Sequence, residues 1–188
     1  MAAGARLDRD RSQLIIVDVQ EKLAPHIEGS EALIARCEAL ITVAEMFGVP
    51  KLLTEHCPAQ IGSVVARLRD RFAPHEIFMK SYFAATDHAE FASRLVQGRD
   101  QLVVAGMEAH VCVMQTVLGL AASGFEIFVV ADAVGSRGAR QDDRRYALDR
   151  MGTAGCTLVG TEAALFEWTR SGDDVSFRQT LKTVKTLP

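Results

Sequence analysis

The sequence LIIVD, residues 14–18, is a short apolar run with β-branched residues that ends in a carboxylate. Such a run is too short for a helix and is typical of a strand that is buried on both faces. Nearly unbroken apolar strands favour a parallel sheet, because the strands of an antiparallel sheet commonly alternate polar and apolar residues. We therefore predict a first parallel strand that ends at Asp18.

Strands and helices are predicted to alternate along the rest of the chain. Predicted strands are 51–54, 76–79, 102–105, 127–130 and 157–159, and predicted helices are 31–47, 63–71, 87–96, 110–122 and 141–151, followed by helical residues around Leu165 and Leu181. Ser30 is expected to cap helix 31–47, and Asp132 is expected to be a loop or helix-capping residue. Alternation with short connections gives right-handed crossovers. We therefore predict an α/β fold, a doubly wound, Rossmann-like three-layer α/β/α sandwich with a six-stranded parallel sheet.

The composition is that of one globular domain. The 188 residues are 48% hydrophobic and 24% charged, which supports a single core over residues 1–188. The net charge is -3 and the sequence has no dense Lys/Arg block, so it lacks the broad basic field that a phosphate backbone attracts. No nucleic-acid partner is expected.

The sequence also contains no obvious membrane or export segment. No apolar run approaches the roughly 20 residues of a membrane helix. The first 13 residues lack the apolar stretch of a secretory signal, so we expect no membrane partner and a cytoplasmic location. Three arginines among the first 11 residues would suit a mitochondrial address, but two aspartates there argue against it.

Ligands of a doubly wound sheet bind outside the carboxyl ends of its strands. The residues predicted at that edge are Asp18, 54–56, 80–83, 106–112 and Asp132. Asp18 is expected to be poorly hydrated and to serve as a general base, with loop capping as an equal alternative. Lys80 is expected either to pair with an anion such as Asp18 or to extend into water.

Four cysteines, at positions 37, 57, 112 and 156, lack zinc-site spacing and are expected to be free thiols. Free cysteines are usually buried as small apolar residues. Cys112 differs because it follows a predicted strand-to-helix turn, where the helix dipole and Lys80 are expected to lower its thiol pKa. Backbone N–H groups of such a turn can bind an oxyanion, which typically contributes about 3 kcal/mol per donor. Asp18, Lys80 and Cys112 at one edge suit acyl transfer, with Cys112 as the nucleophile.

Three segments together resemble the isochorismatase-like cysteine hydrolases: residues 14–20 (LIIVDVQ), 79–83 (MKSYF) and 106–113 (GMEAHVCV). The similarity extends over nearly the whole chain and is greatest to the small isochorismatase-domain proteins. It implies the strand order 3-2-1-4-5-6, a homo-oligomer and a catalytic triad, and the residues of that triad match Asp18, Lys80 and Cys112.

The resemblance further implies a cis peptide between Met107 and Glu108, and an oxyanion hole made of the amides of Glu108 and Cys112. The mechanism implied has Asp18 accepting the proton of Cys112, which attacks a carbonyl carbon and forms a thioester that water hydrolyses. The family's isochorismatases proper cleave a vinyl ether and do not rely on the cysteine. The presence of Cys112 therefore favours cleavage of a C–N bond, amide or carbamoyl, in a small-molecule substrate.

The nicotinamidases of this family carry an Asp-x-His metal pattern after the second strand. Residues 54–57 of this chain are TEHC instead, so no metal or other cofactor is expected. Glu55 and His56 remain the alternative metal ligands, although adjacent residues at a strand end diverge.

Four further residues are predicted to line the substrate pocket: Gln20, Tyr82, Phe83 and His110. Each has a plainer alternative, which is a loop contact for Gln20, ordinary packing for the two aromatic residues, and capping or exposure for His110. The apolar residues of a C-terminal helix from about Val175 are expected either to form a subunit contact or to pack on their own sheet.

Two other functions are compatible with this sequence. The chain is alternatively a non-catalytic member of the fold that binds a metabolite or a partner protein, because fold membership alone does not secure activity. It is alternatively a thiol sensor, because the features that activate a nucleophile also favour oxidation, although no resolving cysteine is near Cys112 in sequence.

Overall fold

The structure is a computed structural model that describes residues 6–188. Its strands are β1 (Ser12–Val17), β2 (Lys51–His56), β3 (Ile77–Lys80), β4 (Gln101–Met107), β5 (Glu126–Gly135) and β6 (Thr157–Val159). All six are parallel and lie in the order β3-β2-β1-β4-β5-β6, which confirms the predicted sheet. The first five residues, which begin the stretch predicted to lack a secretory signal, lie outside the described residues.

Helices cover both faces of the sheet, as a three-layer sandwich requires. They are α1 (Ser30–Met46), α2 (Pro58–Ile61), α3 (Ala66–Arg69), α4 (Met114–Ala122), α5 (Gln141–Thr153), α6 (Thr161–Thr169) and α7 (Phe177–Val184). β1 is buried along its whole length, because its alternate residues pack against the helices on opposite faces of the sheet. Leu14 and Ile16 pack with the α1 and α6 side, whereas Ile15 and Val17 pack with the α4 and α5 side. Among residues 6–188, no helix combines the length and apolar character that a membrane crossing needs.

The carboxyl ends of β1 and β4 approach each other unusually closely at Gly106. This residue pairs with Val17 and has a φ of 132°, a conformation that glycine adopts far more readily than other residues. A Cβ atom at Gly106 would lie 2.0 Å from the Val17 carbonyl oxygen. The absence of a side chain at Gly106 therefore allows the end of β4 to lie directly beside the residue that precedes Asp18.

Two predicted helices are largely replaced by turns. Residues 87–96 form no α-helix but lie around two 3₁₀ turns, Ala85–Asp87 and Phe91–Arg94. Phe91 alone anchors the second turn in the core, and one buried residue cannot supply the apolar stripe that stabilises a surface helix. The predicted helix 63–71 shrinks to Ala66–Arg69, where Leu68 is likewise the single buried residue.

Element ends differ from the predictions at three positions. Ser30 is the first residue of α1 rather than its cap, because Gly29 occupies the cap position in a left-handed conformation. β5 continues through Asp132 to Gly135, since Ala133 and Val134 after it are buried. The predicted helix-capping role of Asp132 is confirmed, because its Oδ1 accepts hydrogen bonds from the N–H and hydroxyl of Thr161 at the start of α6.

The C-terminal helix is also shorter than predicted. It begins at Phe177, and Val175 before it is fully exposed. The inward side of α7 includes Thr180 and Thr183, and Val184 packs against the core on the α1 and α6 side. At least this part of the C-terminal segment therefore packs on its own domain, as one of the two alternatives expected.

Candidate active site

Asp18 directly follows β1, and its carboxylate is buried inside the fold. Its backbone has a φ of 50°, a left-handed conformation that aspartate tolerates better than most residues. Oδ1 accepts a hydrogen bond of 2.6 Å from the Thr54 hydroxyl, and Oδ2 accepts one of 2.6 Å from Lys80 Nζ. Sequence reasoning placed Thr54 at this edge without giving it a role, and the pairing of Val17 with Thr54 across β1 and β2 brings it beside Asp18.

Lys80 ends β3, and its side chain is fully buried. Its ammonium group donates to Asp18 Oδ2 and to the backbone carbonyls of Tyr82 and Phe83, at 3.3 and 3.1 Å. These three contacts match the three hydrogen-bond donors that an ammonium possesses. The alternative that Lys80 extends into water is therefore wrong, because the fold pairs it with Asp18.

Cys112 lies in a turn of π-helix, Ala109–Val113, that connects β4 to α4. The residue is 7% exposed, and Asp18 and Lys80 both act on the pKa of its thiol. Burial, followed by the negative charge of Asp18, raises the pKa of Cys112 to about 12, against the lowering effect of Lys80. The expectation of a lowered thiol pKa is therefore wrong, since desolvation and the carboxylate outweigh the ammonium. The resting residue is a neutral thiol beside a carboxylate.

The turn before Cys112 begins with a cis peptide bond between Met107 and Glu108. The Glu108 carboxylate accepts a hydrogen bond of 2.8 Å from Arg137 Nε, so its side chain is held on the β5 side of the turn. His110 Nδ1 lies 2.9 Å from the hydroxyl of the buried Ser136. An oxyanion hole made of the amides of Glu108 and Cys112 stays a prediction.

The predicted pocket residues differ in how far they are exposed. Tyr82 and Phe83 are 56% and 52% exposed, and His110 is half-buried. Gln20 is fully buried, and its amide bonds the backbone of His56 and Gly62 rather than facing a pocket. The loop contact is therefore the correct interpretation of Gln20, which positions the end of β2.

Neither residue of the alternative metal pair is arranged as a ligand. Glu55 accepts a hydrogen bond of 2.9 Å from the Val64 N–H and forms an ion pair with Arg69. His56 lies instead beside Phe83, with the two ring centroids 5.2 Å apart. Within residues 6–188, no group of three or more His, Cys, Asp or Glu side chains has an arrangement that could hold a metal ion.

The His56 ring belongs to the surroundings of the Asp18–Lys80 pair. Burial, and next the charge of Lys80, lower the pKa of His56, whereas Asp18 and the Tyr82 carbonyl act in the opposite direction. Its Nδ1 atom is buried without a hydrogen-bond partner. Sequence reasoning considered His56 as a metal ligand, and no local pattern distinguished its position beside the triad.

Sequence comparison identifies an isochorismatase domain over residues 12–163. The chain is similar to isochorismatase domain-containing protein 2 of Danio rerio, with 30% identity over 97% of this chain and 91% of that protein. It is also 31% identical to isochorismatase domain-containing protein 1 of Salmo salar over 89% of its own residues. The matched region covers 59% of the length of that second relative.

Three solved structures have similar folds. The MAR1 ribonuclease of Caenorhabditis elegans has a TM-score of 0.90 and 31% identity, over 98% of this chain and 95% of the other. YcaC from Pseudomonas aeruginosa, determined with hexane-2,5-diol and covalent acrylamide, has a TM-score of 0.89 and 26% identity, over 97% and 93%. The ycaC product of Escherichia coli is described as an octameric hydrolase of unknown specificity. It has a TM-score of 0.87 and 26% identity, over 100% of this chain and 91% of the other. Together with the domain match over residues 12–163, these similarities show that the chain belongs to the isochorismatase family and has its hydrolase fold.

Proposed function

We propose that this protein is a cysteine-dependent hydrolase that cleaves the C–N bond of a small amide or carbamoyl compound. The observation that carries the proposal is that one buried carboxylate, Asp18, pairs with the Lys80 ammonium at 2.6 Å and also acts on the pKa of the Cys112 thiol. A nucleophile, a base and a fixed cation thus share one dry location, which is the arrangement that nucleophilic acyl transfer needs.

The raised pKa of Cys112 determines the first step. Because the resting thiol is neutral, its proton moves to Asp18 as Sγ forms a bond to the carbonyl carbon. The carbonyl π electrons move to oxygen, and the amides of Glu108 and Cys112 are proposed to bind that oxyanion. When the electrons return, the C–N bond breaks, and the nitrogen leaves with the proton that Asp18 had accepted.

The second half of the reaction repeats this chemistry with water. Asp18 accepts a proton from the water, whose oxygen attacks the thioester carbon, and the C–S bond breaks. The products are a carboxylic acid and an amine or ammonia, and Cys112 recovers a proton from Asp18. Lys80 keeps its position throughout, because its other two N–H groups are bound to the carbonyls of Tyr82 and Phe83.

A small substrate suits the local charges better than a polyanion does. One of the similar structures is a ribonuclease, but the cation at this site, Lys80, is buried with its donors already directed at Asp18 and two carbonyls. The net charge of the chain is -3, so no broad basic field attracts RNA. A similar structure contains covalent acrylamide, which is itself a small amide, and this supports a substrate of that size.

The same geometry argues against the thiol-sensor alternative. Sensor cysteines are exposed and have a low pKa, whereas Cys112 is 7% exposed and its pKa is raised. We further propose a homo-oligomer, which the octameric similar structure supports, and a cytoplasmic location, which the four free cysteines support.

Trapping of the acyl enzyme tests the proposal. The protein is mixed with a panel of amides and carbamoyl compounds and quenched in acid, and Cys112 is examined by intact and peptide mass spectrometry. We expect an adduct on Cys112 with the mass of the acyl group, and none in the Cys112→Ser variant. Absence of both adduct and hydrolysis across the panel would favour the non-catalytic alternative, and RNA cleavage that survives Cys112→Ser would place hydrolysis elsewhere.

Labelling of the cysteines provides a second test. Cys112 is expected to react with acrylamide at neutral pH faster than Cys37, Cys57 and Cys156, because Asp18 accepts its proton. Cys57 is the internal control, since it is half-buried and therefore accessible to the reagent. Equal rates at all four cysteines would contradict an activated nucleophile.

A further inference from the structure

One buried polar atom in the described chain has no partner, and it lies at this site. Among residues 6–188, His56 Nδ1 is the single buried side-chain nitrogen or oxygen atom without a hydrogen bond. Leaving such a group unsatisfied costs stability, because the group loses its hydrogen bonds to water and gains none in return. Buried polar groups of native proteins are otherwise nearly always paired, so this exception requires an explanation.

The backbone of His56 is held by the side chain of Gln20. The Gln20 side chain accepts a hydrogen bond of 2.7 Å from the His56 N–H and donates one of 2.9 Å to the His56 carbonyl. The same amide also bonds the Gly62 carbonyl, and Gln20 itself is fully buried. A buried amide that bonds both backbone groups of one residue fixes the backbone from which the His56 ring projects.

The ring lies near both Lys80 and Phe83. His56 pairs with Lys80 across β2 and β3, the charges of Lys80 and Asp18 act on the ring, and its centroid is 5.2 Å from that of Phe83. Burial and Lys80 lower the pKa of His56, so the imidazole is neutral at physiological pH. It offers a hydrogen bond without a charge, which matches a neutral group of a substrate.

We propose that His56 recognises the amide nitrogen of the substrate, with its ring proton on Nε2 and with Nδ1 accepting an N–H of a carboxamide or carbamoyl group. The inference rests on the proposed hydrolysis of C–N bonds, which it deepens by naming the group that is recognised. Insertion of the substrate beside the half-exposed Phe83 ring would bring this N–H to Nδ1. With the N–H directed at His56, the nitrogen lone pair is free to receive the proton from Asp18.

The same contact distinguishes substrate from product. A carboxylate has no N–H, so the acid that hydrolysis forms cannot satisfy Nδ1, and His56 favours binding of the amide over the acid. An N,N-disubstituted amide lacks the N–H as well. Recognition through His56 therefore selects primary or monosubstituted amides.

Acrylamide is the probe that tests this inference without requiring hydrolysis. Cys112 Sγ bonds to the terminal alkene carbon, the C=C π bond breaks, and the adjacent carbon takes up a proton equivalent to the one that the thiol releases. The alkylation rate of Cys112 with acrylamide is divided by the rate with N,N-dimethylacrylamide, which has no N–H. The same ratio at Cys57 corrects for the intrinsic reactivities of the two reagents.

We expect the corrected ratio to be about ten in the native protein, the effect of one hydrogen bond. His56→Leu should reduce the corrected ratio to about one, and His56→Asn should retain it, because the asparagine side chain offers an acceptor near the position of Nδ1. A ratio near one in the native protein, a ratio that survives His56→Leu, or equal loss in both variants would overturn the inference. The first outcome depends on no variant, so misfolding of His56→Leu cannot hide a failure.

The two proposals fail in different ways. Alkylation needs no C–N cleavage, so a preference for acrylamide without any acyl enzyme would retain the role of His56 and reject the hydrolase. Conversely, an acyl enzyme on Cys112 together with equal corrected rates of alkylation by acrylamide and N,N-dimethylacrylamide would support the hydrolase function and reject the role of His56.

Discussion

Replacement of Asp18 with asparagine separates the structural and chemical roles of the buried ion pair. In the described part of the chain, Asp18 is the one carboxylate paired with Lys80, and both side chains are buried. Asparagine keeps the size of the side chain and tolerates the φ of 50° at this position. The substitution therefore removes a charge with little change of shape, and leaves an ammonium buried without its counterion.

Three effects of Asp18→Asn follow from the structure. The unpaired ammonium should lower the free energy of unfolding by about 3–5 kcal/mol. Loss of the base should reduce amide hydrolysis by about 10²- to 10⁴-fold. The pKa of Cys112 should fall below about 12, because both the charge of Asp18 and its hydrogen bond with the thiol raise it. In Asp18→Asn the Cys112 thiol is thus more acidic, and amide hydrolysis is nevertheless slower.

Urea unfolding, acyl-enzyme formation and the pH profile of Cys112 alkylation measure these three effects. Lys80→Met is the matched partner, since it leaves the carboxylate unpaired and should cost about as much stability as Asp18→Asn. The double variant removes both charges and should lose less than the sum of the two single changes. Additive losses, a stability change below about 1 kcal/mol in Asp18→Asn, or unchanged hydrolysis would refute this interpretation of the pair.

Three further predictions concern the Cys112 thiol, the close approach of β1 and β4 at Gly106, and the Thr54 hydroxyl. Because the pKa of Cys112 is raised to about 12, the folded chain keeps its thiol neutral where the unfolded chain ionises it. The free energy of unfolding should therefore fall as pH rises from about 9 towards 12, and less steeply in Cys112→Ala, as measured by urea titration at each pH. Gly106→Ala should cost more than about 4 kcal/mol, whereas Gly124→Ala, whose Cβ would meet nothing within 4 Å, should cost only about 1 kcal/mol, and equal melting curves would contradict the clash. Thr54→Val should slow hydrolysis and lower stability by about 1–3 kcal/mol, Thr54→Ser should retain both, and indistinguishable variants would exclude a role for the hydroxyl.

The sheet was predictable because its signal is local. Each apolar strand is recognisable from its own residues, and the carboxyl-edge rule then indicates which residues can meet. The positions of Asp18, Lys80 and Cys112 at one edge follow from those two facts, and in the structure Lys80 bonds Asp18 while both residues act on the pKa of Cys112. The helix predicted at 87–96 was wrong. The sequence is compatible with a helix, but the fold buries too little of this segment to stabilise one.

The electrostatics of the site were not predictable from the sequence. The pKa of Cys112 depends on how much water reaches the thiol and on the distance to Asp18, and both are properties of the assembled fold. Thr54 and His56 were placed at the edge, but their roles beside Asp18 and Lys80 were not predicted, for a related reason. The hydroxyl becomes relevant through pairing with β1, and the imidazole through the Gln20 contacts that fix its backbone.

The missing side chain at Gly106 also bears on how the site fluctuates. Val17 and Gly106 are paired neighbours, and Asp18 and the turn that carries Cys112 follow them. A thermal opening that separates the two strands at this point is expected to displace Asp18 and Cys112 together, because no side chain at Gly106 lies between the strands. Amide protons here belong to the fully buried centre of the sheet, and such regions typically exchange with solvent only through global unfolding. On heating, Asp18 and Cys112 should therefore keep their relative positions until the whole domain unfolds, so that loss of activity and unfolding occur at the same temperature.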